Sequence, residues 1–125
     1  MVLSEVETAL RVIGLGLLVL GGFASVVSAI GFHRFKNFYL RLHALTVGTI
    51  WGCVFPLIGA SLLAVTLNEL GIYKWFVAGA SFVASVIIFM LAPAGSHAIA
   101  RAVHKAKVAR VQPCVADLLD KDLCG

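Results

Sequence analysis

The side chains of this sequence that are suited to chemistry gather in two short runs of a mostly apolar chain, residues 31–46 (the first run) and residues 93–102 (the second run). His33 and His43 belong to the first run, and His97 belongs to the second. An unperturbed imidazole titrates at about pH 6.5, so His43 could transfer a proton. Paired histidines on adjacent helices could instead ligate haem b, as in a quinone-linked membrane anchor. All three histidines border basic segments, and not the interior of a bundle, which disfavours the haem.

Helical spacing decides which of these side chains can act together. In the first run, Tyr39, His43 and Thr46 fall along one side of a helix. Asn37 and Arg41 are four residues apart, which predicts a contact between the amide and the guanidinium. The same run is also typical of an interfacial linker with its cations among lipid headgroups. In the second run, residues at intervals of four are Pro93, His97 and Arg101.

The elements that must position these residues are predicted by the distribution of charge. The chain has 125 residues, of which 61% are hydrophobic and 13% charged, and its mean hydropathy is +1.02. Uncharged stretches of 21, 27 and 26 residues lie between Arg11 and His33, between Arg41 and Glu69, and between Lys74 and Arg101. A helix needs about 20 apolar residues to cross a membrane. The sequence therefore predicts an all-α integral membrane protein with three transmembrane helices.

Within these three spans the sequence predicts several local features. A capping box formed by Ser4 and Glu7 would start the first helix, which would end near Ile30. The second span, from about residue 43 to residue 67, should be kinked at Pro56. The third span should end near residue 91, and a separate short helix should follow Pro93 over residues 96–105. Small residues recur along all three spans, which favours close packing against one another or against neighbours.

Basic residues are distributed unequally between the two sides of the predicted membrane. Eight Lys and Arg residues lie in the first loop and after the third span, and two lie in the other segments. This bias predicts an outside N-terminus and a cytoplasmic C-terminus, with a membrane domain over residues 1–107 and a polar cytoplasmic tail over residues 108–125. Attraction to anionic headgroups explains the net charge of +4 better than nucleic acid does. Cys114 and Cys124 should remain free thiols in a reducing compartment.

The depth of the third span places the two runs at one level. If that span begins near Trp75, a rise of about 1.5 Å per residue carries it across about 30 Å by residue 95. His97 and Arg101 should then lie level with Arg41 and His43, as one cytoplasmic-side cluster. A structural role for Arg41 and His43 is favoured over a proton relay, because the spans contain no acidic partner.

Both runs also resemble a known family. The pattern Phe35-x-x-x-Tyr39-x-Arg41-Leu42-His43-Ala44-x-Thr46 resembles the signature of the small G-type subunits of multisubunit Mrp-type cation/proton antiporters. Pro93-x-x-x-His97-x-x-x-Arg101-Ala102 resembles a second element of that family, and the resemblance covers about residues 5–105. The family's proline, aspartate and later lysine are replaced here by Lys36, Asn37 and Val47.

The resemblance implies a small membrane subunit that works with other subunits. We expect a non-catalytic, structural role beside the ion path of a Na+/proton antiporter module in the cell membrane, without a cofactor, metal or nucleic acid. Homologous subunits in archaeal membrane-bound hydrogenases and sulfur-reducing complexes leave a complex-I-like redox setting open. The family motif residues Tyr39, Arg41, His43, Thr46, Pro93, His97 and Arg101 are the structural or ion-path candidates. The alternatives are a free-standing, holin-like membrane protein and a haem-b or quinone anchor.

Overall fold

The computed structural model describes residues 1–109 of the chain as an all-helical structure. The described residues contain helix α1 (Val2–Arg34), helix α2 (Phe38–Thr49), a π-helical turn (Ile50–Val54), helix α3 (Phe55–Thr66), a 3-10 turn (Asn68–Leu70) and helix α4 (Tyr73–Lys105). Three helical segments are long and apolar enough to cross a membrane, namely Val2–Arg34, Phe38–Thr66 and Tyr73–Lys105. The prediction of three membrane helices is confirmed. Most of the predicted tail, with Cys114 and Cys124, lies outside the described residues.

The three spans form an open layer in which the middle span is central. The middle span, made of α2, the π turn and α3, packs against α1 on one side and against α4 on the other, while α1 and α4 make at most a marginal contact. Few side chains are consequently buried. Among large apolar residues, Phe23 and Phe89 are examples that are more than half exposed. Apolar side chains need no protein cover in hydrocarbon, so a membrane makes this open arrangement possible.

Close approach of backbones holds α1 against the middle span. Gly14 of α1 and Gly59 of α3 are both buried, and a Cβ added to Gly59 would stand 2.6 Å from the carbonyl oxygen of Gly14. A Cβ added to Gly21 would collide with the ring of Pro56. Helix association in lipid depends on such van der Waals contact between small residues. The small residues at these positions therefore serve packing within the chain.

The helix forms a widened turn just before Pro56, and the kink predicted at this proline stays a prediction. Pro56 has no backbone N–H and cannot donate to the carbonyl of Gly52. The residues just before it, Ile50–Val54, are π-helical, and the N–H of Phe55 bonds the carbonyl of Ile50. The rings of Trp51 and Phe55 stack across this turn with centroids 4.6 Å apart. The middle span therefore continues through the proline with its side-chain register shifted at the π turn.

Pro93 does not end the third span, and the prediction of a separate helix after it is wrong. Helix α4 continues without interruption from Tyr73 to Lys105. In a membrane, a helix tolerates proline because breaking it would leave several more backbone groups unsatisfied. The hydroxyl of Ser96 donates to the carbonyl of Pro93 at 2.9 Å, within the same turn. His97 and Arg101 are therefore fixed on the same rigid helix as the span itself.

The first helix also departs from the prediction at both ends. It begins at Val2, so that Ser4 lies inside the first turn, where its hydroxyl donates to the carbonyl of Met1 at 2.6 Å. The predicted capping box is wrong, because a serine inside the helix bonds back to a preceding carbonyl. At its other end α1 runs past Ile30 to Arg34. A cation in the last turn is favourable beside the negative end of the helix dipole.

The ends of α1 and α3 are joined by a single guanidinium. Arg11 donates to the carbonyl of Thr66, the last residue of α3, at 2.9 Å, and to the carboxylate of Glu7 at 2.8 Å. From Arg11 to Arg34 the helix rises by about 35 Å, close to the ~30 Å thickness of the hydrocarbon layer. These two arginines therefore bracket the apolar part of α1.

Candidate functional site

The turn between α1 and α2 is organised by Asn37 and Arg41 separately. Asn37 is the N-cap of α2, and its Oδ1 accepts a hydrogen bond from the backbone N–H of Tyr39 at 3.1 Å. The Nε of Arg41 donates to the carbonyl of Phe35 at 2.8 Å, and its guanidinium lies over the ring of Phe32, 5.4 Å from the centroid. The predicted contact between the side chains of Asn37 and Arg41 is therefore wrong. The cap uses the amide, and Arg41 reaches back to the end of α1.

A cleft of about 360 Å³ separates α2 from α4 near this turn. We call it the α2–α4 cleft. It is lined by side chains of mixed polarity from both helices: Tyr39, Leu42, His43, Thr46, Pro93, Ser96, His97 and Ala100. The period of an α-helix brings positions separated by three, four and seven residues onto one face, and this is the spacing on each of the two helices. The two runs therefore meet in space.

Five of the seven residues singled out from the sequence line this cleft, and two do not. Arg41 is directed to the carbonyl of Phe35 on the side of α1. Arg101 is exposed and lies four residues beyond His97 on α4, past the lining residues of the cleft. The sequence reasoning missed Ser96. Treating α4 as continuous through Pro93 would have placed Ser96 on the cleft face, because it is three residues from that proline.

The polar groups of the cleft divide into satisfied and unsatisfied ones. The hydroxyl of Thr46 donates to the carbonyl of Leu42 at 2.9 Å, and that of Ser96 donates to Pro93. The hydroxyl of Tyr39 is buried and has no hydrogen-bond partner in the described part of the chain. Over residues 1–109, neither His43 nor His97 has a hydrogen bond or ion pair, and both are exposed. Three hydrogen-bonding side chains therefore face the cleft without a partner.

The cleft lies within the membrane-spanning part of the chain. His97 is about 6 Å and Pro93 about 12 Å along α4 from Arg101, towards the membrane interior. The end of the molecule that carries Arg34, Lys36, Arg41, Arg101 and Lys105 is here called the basic end. In the described part of the chain, all three acidic residues belong to the N-terminal turns of α1 or to the turn before α4, at the opposite end: Glu5, Glu7 and Glu69. Among residues 1–109, the charged side chains at this end of the molecule are therefore all basic.

The three histidines singled out from the sequence, His33, His43 and His97, do not converge on one point. His33 lines a separate groove of about 300 Å³ between α1 and α2, together with Ser28 and Gly48. His43 and His97 face the α2–α4 cleft. Residues 1–109 contain no group of three or more His, Cys, Asp or Glu side chains arranged to hold a metal ion. The arrangement is suited to hydrogen bonding with an acceptor, and two imidazoles are its principal donors.

Comparison with known proteins gives a consistent result over most of the chain. The model of a Na+/H+ antiporter subunit family matches residues 17–104, which include both runs. A UPF0091 protein of Rickettsia conorii is 34% identical over 91 residues, covering 72% of this chain and 77% of the relative. A UPF0091 protein of Pyrococcus horikoshii is 35% identical over 82 residues, covering 64% and 68%.

A Staphylococcus aureus protein named for an antiporter subunit, mnhG2, is 30% identical over 95 residues, covering 71% of this chain and 57% of the relative. No solved structure matches the chain.

Proposed function

The chain belongs to the Na+/H+ antiporter subunit family, and we propose that it serves as a non-catalytic, structural subunit beside the ion path of a Mrp-type Na+/proton antiporter module. It is a small multi-pass protein of the cell membrane and a subunit of a cation/proton antiporter. Its partners are the other subunits of that antiporter complex. The finer proposal assigns ion chemistry to those partners and assembly to this chain.

One observation carries the structural role. No Asp, Glu, Lys or Arg lies between Arg11 and Arg34, between Arg41 and Glu69, or between Lys74 and Arg101. Proton and cation paths through a membrane use ionisable groups near its middle. The three spans therefore lack groups with which to conduct ions by themselves. The two imidazoles of the α2–α4 cleft lie towards the basic end, and no carboxylate within residues 1–109 lies beside them.

We further propose that the basic end faces the cytoplasm and that the N-terminus lies outside. The positive-inside rule supports this orientation, because eight of the ten Lys and Arg residues of the sequence belong to segments on that side. Residues 1–107 would then be the membrane domain and residues 108–125 a cytoplasmic tail. Labelling of a single cysteine introduced at Ser4 tests the orientation, with a membrane-impermeant thiol reagent added to intact cells and to inside-out membrane vesicles. Exclusive labelling from the cytoplasm would reverse it.

Two measurements test the structural role. Liposomes that contain this chain alone should show no Na+/H+ exchange, whereas liposomes with the complete complex should show it. Deleting this chain should reduce the recovery of the assembled complex. Antiport by the chain alone would contradict the assignment of ion chemistry to partners, and a complex that assembles fully without the chain would contradict the assembly role.

The parent assembly is identified by the subunits that accompany this chain. Purification through a tag on this chain, followed by mass spectrometry, should recover antiporter subunits. Recovery of redox subunits in the same particle would place the module within a complex-I-like assembly. Stable accumulation of the chain with no membrane partner would favour the free-standing alternative instead.

A further inference from the structure

Building on the proposed function, we infer that the α2–α4 cleft receives a carboxylate side chain from a transmembrane helix of a neighbouring antiporter subunit, with His43 and His97 as its hydrogen-bond donors. Both imidazoles face a cleft of about 360 Å³ between α2 and α4. Neither imidazole has a partner within residues 1–109. The cleft thus offers a defined set of donors that this part of the chain leaves unused.

The depth of the cleft favours a partner helix over lipid. A polar group left facing hydrocarbon without a hydrogen bond costs several kcal/mol. Measured along α4 from Arg101, His97 is about 6 Å and Pro93 about 12 Å towards the membrane interior, so the Pro93 end of the cleft is deeper than the basic residues that attract lipid phosphates. A lipid phosphate would have to leave its own layer to reach Thr46 or Pro93. A side chain carried by a transmembrane helix is available at that depth.

The charge of the surroundings favours a carboxylate over a neutral side chain. Arg101 stands four residues beyond His97, and the acidic residues of the described chain are all at the opposite end. A carboxylate accepts hydrogen bonds at two oxygens, and hydrogen bonds to charged groups are the strong ones. Tyr39 also lines the cleft, and its buried hydroxyl has no hydrogen-bond partner within residues 1–109.

The arrangement of the helices leaves this face accessible to a neighbour. Helices α1 and α4 pack on opposite sides of the middle span, so within residues 1–109 the middle span is the one element against which α4 packs extensively. His43 and His97 are exposed on the surface where α2 meets α4. A second transmembrane helix can therefore lie along this junction without displacing any of the helices described for residues 1–109.

Photo-crosslinking in the purified complete complex tests the inference. A photoreactive benzoylphenylalanine replaces Ser96 in the cleft, and a matched control carries it at Phe23, which is exposed on α1. The crosslink from position 96 should map to a transmembrane segment of another subunit, with an Asp or Glu within one helical turn of the crosslinked residue. Crosslinks to a segment without such an acid, to phospholipid only, to a second copy of this chain or to the aspartates of its own tail would each overturn the inference.

Substitution provides a second measurement that does not depend on crosslinking yield. The double variant His43→Leu/His97→Leu should reduce recovery of this chain with the complex by about tenfold or more, since two hydrogen bonds to a charged group are lost. His33→Leu, on the other groove, is the matched control and should leave recovery unchanged. Replacing the partner's carboxylate by its amide should cause no further loss in the double variant. Full recovery of the double variant would overturn the inference, whereas absence of the wild-type chain from any antiporter complex would instead overturn the proposed function.

Discussion

Replacing Gly59 by alanine tests how the first span packs against the middle span. The added Cβ would stand 2.6 Å from the carbonyl oxygen of Gly14 and 3.1 Å from the Cβ of Leu17. Real Cβ atoms essentially never come within 3.0 Å of another heavy atom, and the obstacle here is backbone. A carbonyl of a helix cannot rotate away as a flexible side chain can. Helices α1 and α3 must therefore separate by several tenths of an ångström along their contact.

The size of the effect follows from two opposing terms. Overpacking of a close contact costs about 1–3 kcal/mol. Alanine also gains roughly 0.8–1 kcal/mol over glycine in helix propensity. The matched control is Gly16→Ala, whose added Cβ would meet nothing within 4 Å. Since both variants share the propensity gain, Gly59→Ala should be less stable than Gly16→Ala by about 1–3 kcal/mol.

Reversible unfolding of the purified chain in mixed micelles measures this difference. The mole fraction of sodium dodecyl sulfate is increased, and unfolding is followed by the fluorescence of Trp51 in the middle span, with the second tryptophan removed by Trp75→Phe in both variants. The midpoint should shift to lower detergent for Gly59→Ala relative to Gly16→Ala. Equal midpoints for the two variants would refute the close backbone contact as a source of stability.

Five further substitutions separate the roles of the polar side chains. Arg41→Ala removes the hydrogen bond to the carbonyl of Phe35, which should cost about 1–3 kcal/mol of stability and lower the yield of assembled complex on native gels. Arg41→Lys should restore only part of that yield, because lysine lacks the planar Nε donor. Arg11→Ala removes the donor to the carbonyl of Thr66, the last residue of α3, and should lower the free energy of unfolding in detergent by about 1–2 kcal/mol. Glu7→Gln removes only an exposed ion pair and should change the same free energy by no more than about 0.5 kcal/mol. His43→Gln keeps hydrogen bonding without titration, so assembly and Na+/H+ exchange should both persist; normal assembly with abolished exchange would instead identify His43 as a proton relay.

The three spans could be predicted from the sequence because the absence of charge over about 20 residues is a property of the chain alone. The ends of the helices could not, because local rules compete there. Pro93 predicts a break, but in a membrane the cost of unsatisfied backbone keeps α4 continuous. Ser4 predicts a cap, but the helix already begins at Val2. In both cases the environment of the whole helix outweighs the preference of one residue.

In the candidate site, helical period predicts which residues share a face, whereas the direction of a side chain at the turn depends on tertiary contacts. The grouping of Tyr39, His43 and Thr46 follows from helical period, and the structure places all three in the cleft. The direction of Arg41 does not follow from period. It depends on the conformation of the turn, in which the amide of Asn37 is taken by the N-cap and the carbonyl of Phe35 is open to the guanidinium.

The open layer of helices changes what exposure means in this chain. A soluble protein with so few buried residues would not fold, but hydrocarbon accepts exposed Phe and Leu side chains at no cost. Exposed imidazoles at the edge of the hydrocarbon layer are different, because lipid tails offer them no hydrogen bond. The positions at which this chain requires a partner are therefore marked by its polar side chains and not by its apolar surface. His43 and His97, together with the unpartnered hydroxyl of Tyr39, mark the α2–α4 cleft as that position.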